Sequence, residues 1–198
     1  MQRLALTARL VLVLPVIITL MSDPLSRTSP PRGQTRAALM QAALEMVASE
    51  SNFSALSLRR VTRQAGVVPT AFYRHFRDMD DLGITLVDET FAELRAVLAA
   101  VDLPSLSIDG LIQHCIGLFA FHVCERRLLF QFLVRERYAG SAALRDAIQT
   151  NLAALNGQLT HDLSQLDAYS AVDNADLALV ADLVVNTVIA TAERILDV

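Results

Sequence analysis

The 198-residue chain contains no lysine, and all 17 of its Lys or Arg positions are arginine. Arginine presents a planar fork that can grip a phosphate through two bonds at once, so this usage suits phosphate contacts. Codon bias in a GC-rich genome would produce the same count. Glycine and proline are scarce, at 7 and 6 residues, while Ala, Leu and Val abound, which favours helix over sheet. No alternating strand pattern and no internal repeat is present. The two cysteines, Cys115 and Cys124, are too few for a disulfide framework and fit a reducing, cytoplasmic compartment. Charged residues make up only 19% and hydrophobic residues 53%, which excludes a disordered chain. There is no Gly-rich phosphate loop, nucleophile elbow or paired catalytic carboxylate, so an enzyme is not expected. His114, Cys115, His122 and Cys124 tempt a metal reading. Cys115 and His122 would share a helix face about 10 Å apart along the axis at about 1.5 Å per residue, too far to converge on one ion. No metal and no cofactor is expected.

The formal net charge of −4 argues against a nucleic-acid partner until its distribution is read. Between Arg32 and Arg77 stand seven arginines (32, 36, 59, 60, 63, 74, 77) against Glu45 and Glu50, an excess of 5 positive charges. The remainder therefore carries an excess of 9 negative charges. A basic head on an acidic body is the expected organisation.

Within that head, Ser57 to Phe76 reads as two short helices joined by a turn at Gly66. Leu58, Val61, Thr62 and Ala65 follow i, i+3, i+4, i+7, one face of a helix, with Ser57 as N-cap. Gly66 follows where a helix end prefers a residue tolerant of positive φ. Pro69 fits the first turn of the next helix. There Phe72 and Phe76 form an inward pair, while Thr70, Tyr73, Arg74 and Arg77 make a polar, cationic stripe suited to a DNA groove.

Around this head the chain divides into three. Residues 1–33 are a leader and arm. Arg3 and Arg9 precede an apolar run, Leu10 to Met21, broken by Pro15 and Thr19. It is signal-like but has no small-residue cleavage site, and it is short of the ~20 apolar residues of a membrane span. Met21 is expected to be the functional start. Residues 34–78 form the DNA-binding head, opened by a helix over Thr35 to Ser49 with Met40, Ala43, Leu44 and Val47 inward. Residues 79–198 form the body. Its first helix, Met79 to Ala100, should bury Ile84, Val87, Phe91, Leu94 and Leu98. Further helices are expected at about 107–124, 126–138, 141–166 and 174–197. The 107–124 helix is apolar nearly all round and is expected to be central. The last carries a stripe of Leu177, Val180, Val184 and Val188.

The head segments TRAALMQAALEMVA, SLRRVTRQAGV and PTAFYRHFRD resemble the DNA-binding head of TetR-type transcriptional regulators. FYRHFRDMDDLGITLVDE and FLVRERYAGSAALRDAI are similar to the branch containing the FabR and DesT repressors of unsaturated fatty acid synthesis. The resemblance covers about Gln34 to Val198 and implies an all-α homodimer: a helix-turn-helix head with a helical body for dimerisation and effector binding. It implies double-stranded operator DNA and a long-chain acyl thioester, of coenzyme A or acyl carrier protein, as partners. Val68 departs from the Ser or Ala frequent before this proline, leaving the recognition helix weakly capped. Relatives usually continue past the position of Val198 into one more helix, so a weakened dimer is expected.

By the same resemblance, Thr70, Ala71, Tyr73, Arg74 and His75 would face base edges and phosphates, and Ser57 and Arg59 would meet phosphate. Arg36 and Arg77 add to the basic surface. Candidates for an acyl pocket are Phe119, Phe121, Phe130, Phe132 and Leu133, with Arg135 and Arg137 placed to hold a thioester's phosphates. Ordinary core and a structural ion pair are the competing readings. A TetR-type regulator sensing a drug or other hydrophobic ligand is the alternative within the class. An exported or membrane-tethered lipid binder is the alternative outside it.

Overall fold

In a computed structural model of the protein, the residues described are 32–49, 52–99, 108–166, 169 and 171–196. The leader, the expected start at Met21 and the break near Pro104 lie outside them. Every regular element among the described residues is helical. In chain order they are α1 (Arg32–Ser49), a 3-10 turn (Phe53–Ala55), α2 (Leu58–Gln64), α3 (Pro69–Phe72), α4 (Met79–Ala99), α5 (Ile108–Glu125), α6 (Arg127–Ala139), α7 (Ala142–Ser164) and α8 (Asn174–Leu196).

One buried cluster joins the head to the body. From the head come α1 (including Leu39, Ala43, Leu44 and Val47), the turn residues Phe53 and Leu56, then Val61, Phe72 and Phe76. From the body come Leu82, Leu86, Val87, Phe91, Phe132, Leu144 and Ile148. Phe53 is the link. Asn52 caps its turn, with Oδ1 accepting from Ala55 N at 2.9 Å. The Phe53 ring meets Phe132 of α6 edge-on, with centroids 5.5 Å apart. A Cβ on Gly83 of α4 would fall 2.9 Å from that ring and 3.0 Å from Leu144. Glycine at 83 is thus what lets α4, α7 and the turn close on one another. Gly83→Ala is expected to cost about 1–3 kcal/mol through overpacking, seen as a Tm lower by about 2–4 °C per kcal/mol. An unchanged Tm would show that the Phe53 ring yields freely.

A smaller cluster lies at the other end of the body. Val123 of α5, Phe130 and Val134 of α6, and Ala192 and Leu196 of α8 meet there, with Phe119 and Ile195 alongside. A polar bridge ties α4 to α7: Asn151 Nδ2 donates to Asp88 Oδ1 at 2.8 Å, and Arg95 Nη1 donates to Asn151 Oδ1 at 3.1 Å.

Three expectations change. α5 is not central: Ile116 and Phe121 are exposed, and only Val123 among its described side chains is buried. It packs chiefly on α6 and α8, so its all-round apolarity exceeds the cover that one chain supplies. On α8 the inward residues are Leu177, Ala181, Val185, Ala192 and Leu196, while Val180 and Val184 are exposed with Leu179 and Leu183. Small Ala181 and Ala192 take buried positions where close helix approach needs them. On α4, Val87 and Phe91 are buried as expected. Leu82 and Leu86 take the places given to Ile84 and Leu94, which are half-buried, and Leu98 is exposed.

Candidate nucleic-acid interface

The head builds its outer face from a rigid inner one. Val61 and Thr62 anchor α2 at 0% and 1% exposure. Thr62 Oγ1 donates back to the carbonyl of Leu58 at 2.9 Å, which satisfies the buried hydroxyl within its own turn. Gly66 turns the chain with φ +68°, a conformation that costs most residues a steric penalty. Pro69 then opens α3 at its first position.

Phe72 and Phe76 fix α3 from beneath, at 0% and 2% exposure with ring centroids 5.5 Å apart. Thr70, Tyr73 and Arg74 face outward and are exposed, while Ala71 and His75 are half-buried. The Tyr73 ring stands edge-on to Phe72 at 5.7 Å, so its body is held while its hydroxyl end is free to meet a ligand. The α-helical part of α3 is only Pro69–Phe72, tightening beyond it into i→i+3 bonds such as His75 N to Phe72 O at 2.9 Å.

Arg77 leaves the stripe. Its N–H donates to Asp81 Oδ2 at 2.9 Å and its guanidinium to Oδ1 at 3.0 Å. Asp78, just before α4, accepts from Asp81 N at 2.8 Å, so these residues form the N-terminal cap of α4 rather than a fourth position on α3. The hydrogen bond from the Arg77 backbone and the pairing with its side chain hold the Asp81 carboxyl below its ordinary value. Arg77 stays largely open to solvent and still adds charge to the surface. Arg36 is half-buried, pairing with Glu89 of α4 and lying over the Phe76 ring at 5.7 Å, where it braces the head. Ser57 occupies the N-cap of α2 in extended conformation, but its hydroxyl makes no capping bond, and Arg59 beside it is exposed.

The body candidates do not assemble into one place. Phe119 and Phe130 stack edge-on at 5.8 Å. Phe121 is 50% exposed, and Phe132 is sealed against Phe53 at the junction with the head. Leu133 is half-buried beside the larger cluster. Arg135 Nη1 donates to the carbonyl of Val47 at 3.0 Å. Arg137 lies over the Tyr138 ring at 5.3 Å and lines a cleft of about 140 Å³ with Asn156 and Asp182. No group of three or more His, Cys, Asp or Glu among the described residues is placed to hold a metal ion. The sequence reading missed Phe53, Gly83 and Glu136, because Phe53 and Glu136 act across 83 residues of chain, beyond any local period.

A basic helix-turn-helix held on a helical body defines a DNA-binding regulator. Residues 39–83 match the family model for bacterial regulatory proteins of the tetR family, and residues 108–198 match the tetracyclin repressor-like C-terminal domain. The chain belongs to the TetR family of transcriptional regulators. Its fold is similar to that of the fatty acid degradation regulator FadR from Bacillus halodurans, with TM-score 0.64 and 14% identity over 87% of this chain and 85% of that one. NalD of Pseudomonas aeruginosa, the secondary repressor of the MexAB-OprM multidrug efflux pump, is similar at TM-score 0.61 and 16% identity, covering 83% of this chain and 94% of its own. FadR from Bacillus subtilis in complex with stearoyl-CoA follows at TM-score 0.53 and 19% identity, covering 81% and 95%.

Proposed function

We propose that the protein is a homodimeric repressor that binds a pseudo-palindromic operator through α2 and α3. On this reading a long-chain acyl thioester controls its affinity for genes of unsaturated fatty acid synthesis. The observation that carries the DNA reading is the exposed Thr70, Tyr73 and Arg74 on a turn-helix locked by two buried phenylalanines. Thr70 and Ala71 then open the helix toward base edges, with Arg74, Ser57 and Arg59 on phosphates and His75 and Arg36 supporting from behind. Leu179, Val180, Leu183 and Val184, 41–60% exposed on α8, offer an apolar face of the kind that finds a partner, here a second copy. The acyl reading draws on the FabR- and DesT-like segments, and on two FadR structures among the similar folds, one of them holding stearoyl-CoA. A cytoplasmic location follows from work on chromosomal DNA.

The test uses a labelled duplex selected by the wild-type protein from a random pool. Stearoyl-CoA or oleoyl-CoA is expected to change the Kd for that duplex by about tenfold or more, a coupling of about 1.4 kcal/mol. Free coenzyme A should do nothing. Equal effects from coenzyme A alone, or none from either thioester, would refute acyl sensing. The similarity to NalD favours a hydrophobic drug as the second reading, and efflux substrates in the same assay separate the two.

A further inference from the structure

Two adjacent residues of α6 hold both ends of one head segment. Arg135 donates to the carbonyl of Val47, in the last turn of α1, at 3.0 Å. That carbonyl is among the last four of its helix, which have no partner within it, and a cation is favoured at this end of the helix dipole. Six residues on, the N–H of Phe53 donates to Glu136 Oε1 at 2.7 Å. The end of α1 is thus gripped by a cation at Val47, and the start of the 3-10 turn by a carboxylate at Phe53.

The grip is costly to the fold. Glu136 is 0% exposed, and its Oε2 has no hydrogen-bond partner among the described residues. Burial pushes its carboxyl above the ordinary value, against the opposing pull of the Phe53 N–H and Arg135. An apolar side chain would fill the same slot without a desolvated carboxylate, but it would strand the buried Phe53 N–H, which would then carry its full desolvation cost. Glu136 therefore serves the fold through that one bond while leaving its other oxygen unmatched. Its position gives the bond a second consequence, because α6 packs against α1, α4, α5, α7 and α8 and so touches both the head and the rest of the body.

We propose that Arg135 and Glu136 are positioning residues through which α6 holds the head in its DNA-competent placement. The proposal rests on the DNA-binding reading above. A dimer must present its two heads at a fixed separation to reach successive half-sites. A segment released from α6 lets each head wander, and ordering it again then opposes binding. A change in the body that moves α6 reaches the head through these two bonds first.

The experiment measures Kd for the selected duplex, the salt dependence of binding and Tm, in the full-length protein. Glu136→Ala should weaken binding about tenfold, the scale of one hydrogen bond to a charged group. The slope of log K against log salt should stay unchanged, since every bond to phosphate remains. Glu136→Gln, which keeps an acceptor for Phe53 N–H, should restore binding to within about threefold of wild type. Arg135→Met keeps the aliphatic stem and should behave like Glu136→Ala. Leu155→Ala, in the α7 core, serves as a control for reduced stability and should leave Kd alone at a similar fall in Tm. Amide exchange at Phe53 should accelerate in Glu136→Ala and not in Glu136→Gln. If Glu136→Ala proves unfolded, Arg135→Met and Glu136→Gln carry the comparison. Wild-type Kd in a folded Glu136→Ala or Arg135→Met, tighter binding in either, or an equal loss in Leu155→Ala would overturn the proposal. Failure of the wild type to select any duplex would overturn the DNA-binding reading itself, and this inference with it.

Discussion

Phe72→Ala is expected to lower the stability of the protein by about 3–5 kcal/mol, the range for truncating a fully buried phenylalanine. Its side chain is 0% exposed and contacts the rings of both Phe76 and Tyr73. A typical domain has only about 5–15 kcal/mol in total, so the head should be largely unfolded at about 37 °C. DNA binding should then vanish, although Phe72 itself faces away from any groove. Urea unfolding followed by circular dichroism measures the loss, and Phe72→Leu should recover much of it. A loss under about 1.5 kcal/mol would mean that the turn-helix collapses around the cavity without harm.

Tyr73→Ala and Arg74→Ala should each weaken operator binding by about 1–3 kcal/mol while leaving Tm nearly unchanged, because both side chains point to solvent. Removing a side chain that neutralises one phosphate should also reduce the slope of log K against log salt by about 0.9. Removing one that reads a base would weaken binding and leave that slope in place, so the two side chains can be sorted. Arg194→Ala, exposed on α8 far along the chain, is the control and should do little. Equal losses from all three would show that the recognition face has been misassigned.

The short-range features were legible in the sequence. The inward Phe72 and Phe76, the left-handed Gly66 and most helix limits follow from spacing and from residue types with strong conformational preferences. On α8, apolar residues fill nearly every position from Leu177 to Val185, so periodicity could not choose which of them faces inward. Burial picks the row containing Ala181, because a small side chain lets neighbouring helices approach. The same excess of apolar positions made α5 read as central. Of the expected polar stripe, Thr70, Tyr73 and Arg74 share an exposed face, whereas Arg77 departs because Asp78 and Asp81 start a new helix there. The bond between Phe53 and Glu136 was illegible in principle. No local rule marks a carboxylate in an apolar helix as the acceptor for a backbone N–H in another part of the chain.

Regulators of this architecture invite recombination, with the reader of one joined to the sensor of another. Here the seam would not fall at the start of α4. Phe53 is donated by the head, but the space for it is cut by Gly83, Phe132 and Leu144, and its N–H is claimed by Glu136. A transplanted reader would arrive with a different side chain at this spot and leave a void or a clash in its new host, and a proline there would also strand the Glu136 carboxylate. These five residues therefore travel as a set, and a working chimera of this protein must exchange all of them or none.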